Sequence, residues 1–154
     1  MTDEPEGMTA QKEPVEILLA EDNPNDVRLT KRAFNEGKLL NNIHVANDGI
    51  ETMKFLRREG EYADEPRPDV VLLDIEMPRK DGLEVLADID MSPELSTIPV
   101  IILTSSEAEQ DIVESYEHNA NAYLTKPVGH KEFQETVRQI ERFWFQLVKL
   151  PGDE

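Results

Sequence analysis

Five short apolar runs rich in β-branched residues recur along the chain, each separated from the next by room for a helix. They are VEILLA (15 to 20), NIHVA (42 to 46), DVVLLD (69 to 74), IPVIILT (98 to 104) and NAYLT (121 to 125). Runs of this length, bounded by Pro, Gly and Asn, read as strands, and their unbroken hydrophobicity reads as burial on both faces. Strands of that kind belong to an α/β, doubly wound parallel sheet with helices on both sides. Right-handed crossovers leave few orders for five strands, and 2-1-3-4-5 is the economical one. It opens a crevice between the carboxyl ends of the first and third strands, where a site is expected.

The intervening segments carry apolar residues at helical spacing. The first helix is expected after Asn25 as cap, with Val27, Thr30 and Phe34 on one face and Gly37 as its end. The second follows Asn47 or Asp48, carries Met53, Leu56 and the Arg57, Arg58 pair, and stops at Gly60. The third covers 82 to 91 with Leu83, Leu86 and Ala87 inward, and the fourth covers 107 to 118 with Ala108, Ile112 and Tyr116 inward. The fifth covers 130 to 149, with Phe133, Val137, Ile140, Trp144 and Leu147. At 154 residues one domain accounts for the chain: an acidic flexible tail over 1–13, a folded unit over 14–150, and a short tail over 151–154.

With 33 Asp plus Glu against 16 Lys plus Arg, the net charge is −17. That field repels phosphate backbones and anionic membrane surfaces, so neither nucleic acid nor membrane is an expected partner. The absence of cysteine excludes disulfides, zinc-thiolate sites, iron–sulfur clusters and cysteine nucleophiles. No run approaches the length of a membrane span, and the acidic start MTDEPEG lacks the pattern of a signal peptide, so a cytoplasmic location is expected. The acidic excess serves either a carboxylate site or a solvated surface adapted to high salt. A site uses only three or four acids, which favours the second reading and a halophilic cytoplasm.

The residues ending each run are polar in a consistent way. The first run ends in Glu21 and Asp22, the third in Asp74, the fourth in Thr104, and the fifth in Lys126 before Pro127. A parallel sheet brings these to one rim. Each alone has an ordinary role as cap, turn or solvated loop residue, and only their convergence points to chemistry. Carboxylates a few ångströms apart repel one another and either hold a proton or bind a cation. Oxygen donors in an open site suit Mg²⁺, with Asp22 and Asp74 as direct ligands, Glu21 direct or through water, and the Glu76 backbone carbonyl available as a further ligand. A metal beside a lysine and a hydroxyl attracts phosphoryl oxygens, and Asp74, ending the central strand, is the best candidate for a covalent aspartyl-phosphate. His44, His118 and His130 match no metal pair or triad and read as surface residues.

The stretches LLAEDNPND (18 to 26), DVVLLDIEMPRKDGLEVL (69 to 86), IPVIILTSS (98 to 106) and ANAYLTKPV (120 to 128), in this order and spacing, resemble a response-regulator receiver domain of two-component signalling. A narrower similarity, through EDNPND, GEYADEPRPDVVLLD and FWFQLVKLP, is to single-domain receivers that work with bacterial phytochromes. The resemblance implies a flavodoxin-like fold and a signalling protein, not an enzyme beyond its own phosphorylation and slow dephosphorylation. It implies that Asp74 accepts a phosphoryl group from a sensor histidine kinase, with Glu21, Asp22, Asp74 and the Glu76 carbonyl around Mg²⁺. Lys126 and Thr104 would bind the phosphoryl group, and Thr104 and Tyr123 would form the switch. Glu21 stands where Asp is frequent in the family.

No recognition helix or basic stripe offers a DNA-binding output, so a downstream protein is expected. Phe143, Trp144, Phe145 and Val148 exceed what one core-facing stripe needs and offer a dimer or partner surface. Two rivals stand beside the receiver reading. A phosphatase of the haloacid dehalogenase type also uses an aspartyl nucleophile, and Asp74-Ile75-Glu76 mimics its paired acids, but the acids of the first strand are then unexplained. A phosphorylation-independent binding module is disfavoured by the intact site positions.

Overall fold

In the computed structural model, the described residues are 13–114, 120–127 and 129–148, without the side chains of 147 and 148. Both terminal tails of the expected domain division, apart from Glu13, lie outside them, as do Tyr116, His118, Val128 and the expected end of the fourth helix.

The elements alternate as the sequence pattern requires: β1 (Val15–Ala20), α1 (Pro24–Asn35), β2 (Asn41–Ala46), α2 (Gly49–Arg57), a 3-10 turn (Gly60–Tyr62), β3 (Val70–Asp74), α3 (Gly82–Asp90), β4 (Val100–Thr104), α4 (Glu107–Glu114), β5 (Ala122–Thr125) and α5 (His130–Val148). All strands are parallel in the order β2-β1-β3-β4-β5, as expected. Alternation of side chains along each strand divides the core in two. Leu18, Ala20, Val71, Leu73, Val100 and Ile102 face Met53, Leu56, Leu86, Ile89 and Val113 of α2, α3 and α4. Ile17, Leu19, Val70, Leu72, Ile101 and Leu103 face Phe34 of α1 and Phe133, Val137 and Ile140 of α5. Full burial of one such side chain contributes about 1.5–3 kcal/mol. The central strands therefore anchor the rim that extends from their carboxyl ends.

Several local expectations are corrected. The cap of α1 is Asn23, whose side chain accepts from the Asn25 and Asp26 N–H groups, and Pro24, which has no N–H to satisfy, takes the first turn. The second helix ends at Arg57, before Gly60, because Arg58 adopts the left-handed conformation (φ 56°) and its N–H closes onto the Lys54 and Phe55 carbonyls. In α4, Val113 is buried while Ile112 is 59% exposed and Ala108 is exposed, so the inward face lies one residue from the expected one. In α3 the inward residues are Val85, Leu86 and Ile89, and Ala87 is exposed. His44 is half-buried, its Nε2 2.7 Å from Glu16 Oε1.

Candidate functional site

Strand β1 delivers Glu21 and Asp22, β3 ends in Asp74, β4 ends in Thr104, and Lys126 follows β5. One carboxylate oxygen from each of Glu21, Asp22 and Asp74 can be chosen so that all lie within 4.8 Å of one another. Glu21 is 1% exposed and Asp74 3%, whereas Asp22 is open to solvent at the lip. Lys126 Nζ reaches in from the other side, 2.9 Å from Glu21 Oε1 and 3.0 Å from Asp74 Oδ2. The sequence-predicted acids and lysine thus meet in one pocket.

Asp26 joins them, its Oδ2 3.1 Å from Lys126 Nζ. Sequence reasoning missed it, because Asp26 lies in the first turn of α1 and ends no strand, so its contact with Lys126 depends on how that helix packs. Three carboxylates, Glu21, Asp26 and Asp74, therefore share one ammonium, with Asp22 beside them. Burial, then the Asp74 charge, push the Glu21 carboxyl up to about 7 despite its bond to Lys126. The Lys126 ammonium is held above the usual lysine range: burial opposes its charge, but the Glu21 and Asp74 carboxylates outweigh that penalty.

The loop after Asp74 is held by the same rim. The Glu76 N–H donates to Asp74 Oδ1 at 3.2 Å, and the Gly82 N–H donates to the Ile75 carbonyl at 3.0 Å. A methyl group at Gly82 would stand 2.5 Å from the Asp74 carbonyl oxygen, so only glycine lets α3 start this close to the strand end. The Glu76 carboxylate projects to the surface, where neighbouring Glu109 raises its pKa. Farther along the loop, Arg79 pairs with Asp48 Oδ2 at 2.5 Å, and Asp48 is also the cap of α2.

Thr104 is fully buried, and its hydroxyl donates to the Ser106 carbonyl at 3.2 Å, with the Leu124 carbonyl at 3.5 Å. Ile102 pairs in register with Tyr123, and Thr104, two residues on, shares the face of Ile102. Tyr123 is half-buried against the α2–α3–α4 core, where desolvation followed by the Glu114 and Asp90 charges raises its phenol pKa. On the opposite face of the sheet, Phe143, Trp144 and Phe145 are half-buried against the α1–α5 core. Part of the aromatic excess of α5 therefore serves packing.

The site is an oxygen-only donor set with one side open and one fixed cation at its wall. Its three clustered carboxylates fit a hard divalent ion, which would relieve the repulsion that raises Glu21. Comparison with known proteins agrees with this geometry. The sequence profile of the response regulator receiver domain matches residues 17–138. The chain belongs to the response-regulator receiver family. It is 43% identical over 139 residues to response regulator Rcp1 of Synechocystis, covering 90% of this chain and 95% of that protein. It superimposes on the phosphorylated cyanobacterial phytochrome response regulator RcpA with a TM-score of 0.80 at 41% identity, covering 91% of this chain and all of that one. The Mn²⁺-bound form of Rcp1 gives a TM-score of 0.78 at 42% identity, covering 90% and 100% of the two chains. This receiver is accordingly a two-component signalling protein, of the class that takes a divalent metal in an acidic pocket and accepts phosphoryl groups from histidine kinases. The family match favours it over the haloacid dehalogenase alternative. None of the helices among the described residues is long and apolar enough to cross a membrane.

Proposed function

We propose that Asp74 is the phosphoryl acceptor of this receiver and that a histidine kinase is its donor. The reading rests on one observation: a nearly buried strand-end carboxylate, held by Lys126 at 3.0 Å and the Glu76 N–H at 3.2 Å, faces a pocket shared with Glu21 and Asp22. An Asp74 carboxylate oxygen forms the new P–O bond as the P–N bond of phosphohistidine breaks, and the electron pair stays with the imidazole nitrogen, which takes a proton. The rigid end of β3 aims the carboxylate, and the Lys126 ammonium moves its hydrogen bonds from carboxylate to phosphoryl oxygens. Glu21, Asp22, Asp74 and the Glu76 carbonyl would hold Mg²⁺, which when bound neutralises charge on the transferring group.

The phosphoryl oxygens then compete for the Thr104 hydroxyl against the Ser106 and Leu124 carbonyls. As Thr104 turns to the phosphate, the space beside it on the shared face opens to Tyr123. One charge-assisted bond thus biases a two-position element. The resulting surface is read by a downstream protein. Phe143, Trp144 and Phe145 of α5, which are only half-buried, offer apolar area for a homodimer or that partner, and the side chain of Val148, expected on the same surface, lies outside the described residues. The protein works in the cytoplasm through a receiver domain over 14–150, and its catalysis is its own phosphorylation and slow dephosphorylation.

Mass spectrometry after incubation with Mg²⁺ and acetyl phosphate tests the acceptor, with Trp144, the single tryptophan, as a fluorescent reporter. One phosphoryl adduct per chain, absent in Asp74→Asn, is expected. An adduct that persists in Asp74→Asn, rapid turnover of a phosphomonoester, or no adduct at all overturns the reading. Sedimentation at high salt with and without beryllofluoride tests the dimer, which a monomer in both states would exclude.

A further inference from the structure

The carboxyl ends of the strands hold the phosphoryl site, but the concave surface that gathers positive charge lies at their opposite ends. Helix α2 starts beside the carboxyl end of β2 and therefore ends at the amino edge of the sheet. The residues preceding β3 and the segment between α3 and β4 reach the same edge. There a groove of about 340 Å³ is lined by Leu56, Arg57, Arg58, Arg67, Ser92, Glu94 and Leu95. Leu56 and Leu95 are buried and form an apolar floor, whereas the three arginines are exposed.

In a chain with twice as many acids as bases, these three guanidinium groups ought to have found carboxylates. None of them enters any of the ion pairs formed among the described residues. Arg67 instead donates to the Thr97 hydroxyl at 2.7 Å, which orders its guanidinium without neutralising it. Cations in the last turn of α2 complement the helix dipole, which accounts for Arg57 and Arg58 but not for Arg67, contributed by another segment. Arg58 also sits at a φ of 56°, a position that favours glycine or asparagine. Glu94 is the one acid on the lining.

We propose that this groove is a second binding site, for a phosphorylated ring compound of nucleotide size. Guanidinium forks match phosphate oxygens in pairs, and the two leucines offer an apolar face to a ring. The volume falls in the range of small-molecule sites. Size also selects against a macromolecular anion. A nucleic acid or acidic protein meets the field of the whole −17 chain, whereas a small ligand sits within one Debye length of the arginines, about 8 Å at physiological salt.

The test uses the full chain in 0.15 M salt with EDTA, so that no metal bound at Asp74 contributes. Adenosine and guanosine triphosphates and monophosphates, and inorganic pyrophosphate, are titrated by calorimetry, and amide shifts map the site. Saturable binding of at least one nucleotide, with Kd below about 1 mM, is expected to shift the amides of 56–58, 67 and 92–95. The double variant Arg57→Gln/Arg67→Gln should weaken it at least about tenfold, and Asp74→Asn should leave it unchanged, which separates this site from the phosphoryl acceptor. A thermal melt checks that the double variant folds, and Arg67→Gln alone serves if it does not. No saturable nucleotide binding, equal binding by the arginine variants, or shifts confined to the Asp74 rim would overturn the proposal. Pyrophosphate binding as tightly as every nucleotide would overturn it too, since the leucine floor would then contribute nothing.

Discussion

Lys126 Nζ stands 2.9 Å from Glu21 Oε1 and 3.0 Å from Asp74 Oδ2, so a single ammonium joins the ends of β1 and β3 at the bottom of an acidic pocket. Removing it leaves buried carboxylates facing one another without a counter-charge. Lys126→Met should lower stability in metal-free buffer by roughly 2–4 kcal/mol, toward the range for breaking a buried pair. Millimolar Mg²⁺ should restore more stability to the variant than to the parent chain, because the cation replaces the missing charge. Urea unfolding with EDTA and with Mg²⁺ measures both effects, and an equal Mg²⁺ response in the two proteins would contradict this account.

Glu21 makes the pocket sensitive to pH. Its folded-state pKa of about 7 lies above the ordinary 4.5, so the folded state holds a proton that the unfolded chain releases across that interval. Stability contributed by this group is full below about 4.5, falls as pH rises, and levels off above about 7. A divalent ion must displace the same proton, so its affinity moves the opposite way, rising roughly tenfold between pH 6 and 8. Mn²⁺ titration across that range checks it, and Glu21→Gln, which cannot titrate, should bind more weakly with a flat profile.

How far the site could be read in advance depended on whether sequence order and spatial order coincide. Glu21, Asp22, Asp74, Thr104 and Lys126 each end or follow a run whose hydrophobicity marks a strand, and parallel strands bring such ends together. Asp26 was hidden because it belongs to a helix, where its contact with Lys126 depends on how α1 packs. The inward face of α4 is ambiguous in the sequence because Ile112 and Val113 are adjacent and similarly apolar, so periodicity alone does not choose between them. The arginine groove was invisible for a different reason: Arg57, Arg58 and Arg67 form no run, and only the turn after α2 brings them to one edge. Nothing in the sequence marks the end of α2 at Arg57, because a left-handed arginine at 58 has no signature comparable to a glycine.

Asp48 serves two structures at once, capping α2 through the Glu51 N–H at 2.8 Å and holding Arg79 of the loop that follows β3. Asp48→Ala should lose about 1–2 kcal/mol through the cap. Arg79→Ala should lose under about 1 kcal/mol, because the guanidinium is 59% exposed and solvent screens the pair. If the ion pair positions the loop, both variants should also slow phosphorylation by acetyl phosphate to a similar degree, despite unequal stabilities. Stopped-flow Trp144 fluorescence reads the rate. Slowing in Asp48→Ala alone would assign the effect to the helix cap.

The net charge of −17 exceeds what the pocket explains, since Glu21, Asp22, Asp26 and Asp74 are only four of 33 acids, and three of them pair with Lys126. The remaining excess is mutual repulsion across the surface, which compact folding intensifies and salt relieves. At 0.1 M salt the screening length is about 10 Å, comparable to the spacing between surface charges, and at 1 M it is about 3 Å. The melting temperature should therefore rise steeply between 0.1 and 2 M KCl, as the halophilic reading requires. A metal-independent rise, retained in EDTA and not reproduced by sucrose at matched osmolality, would identify charge screening as its cause. A melting temperature that stays flat or falls over this range would remove the halophilic reading.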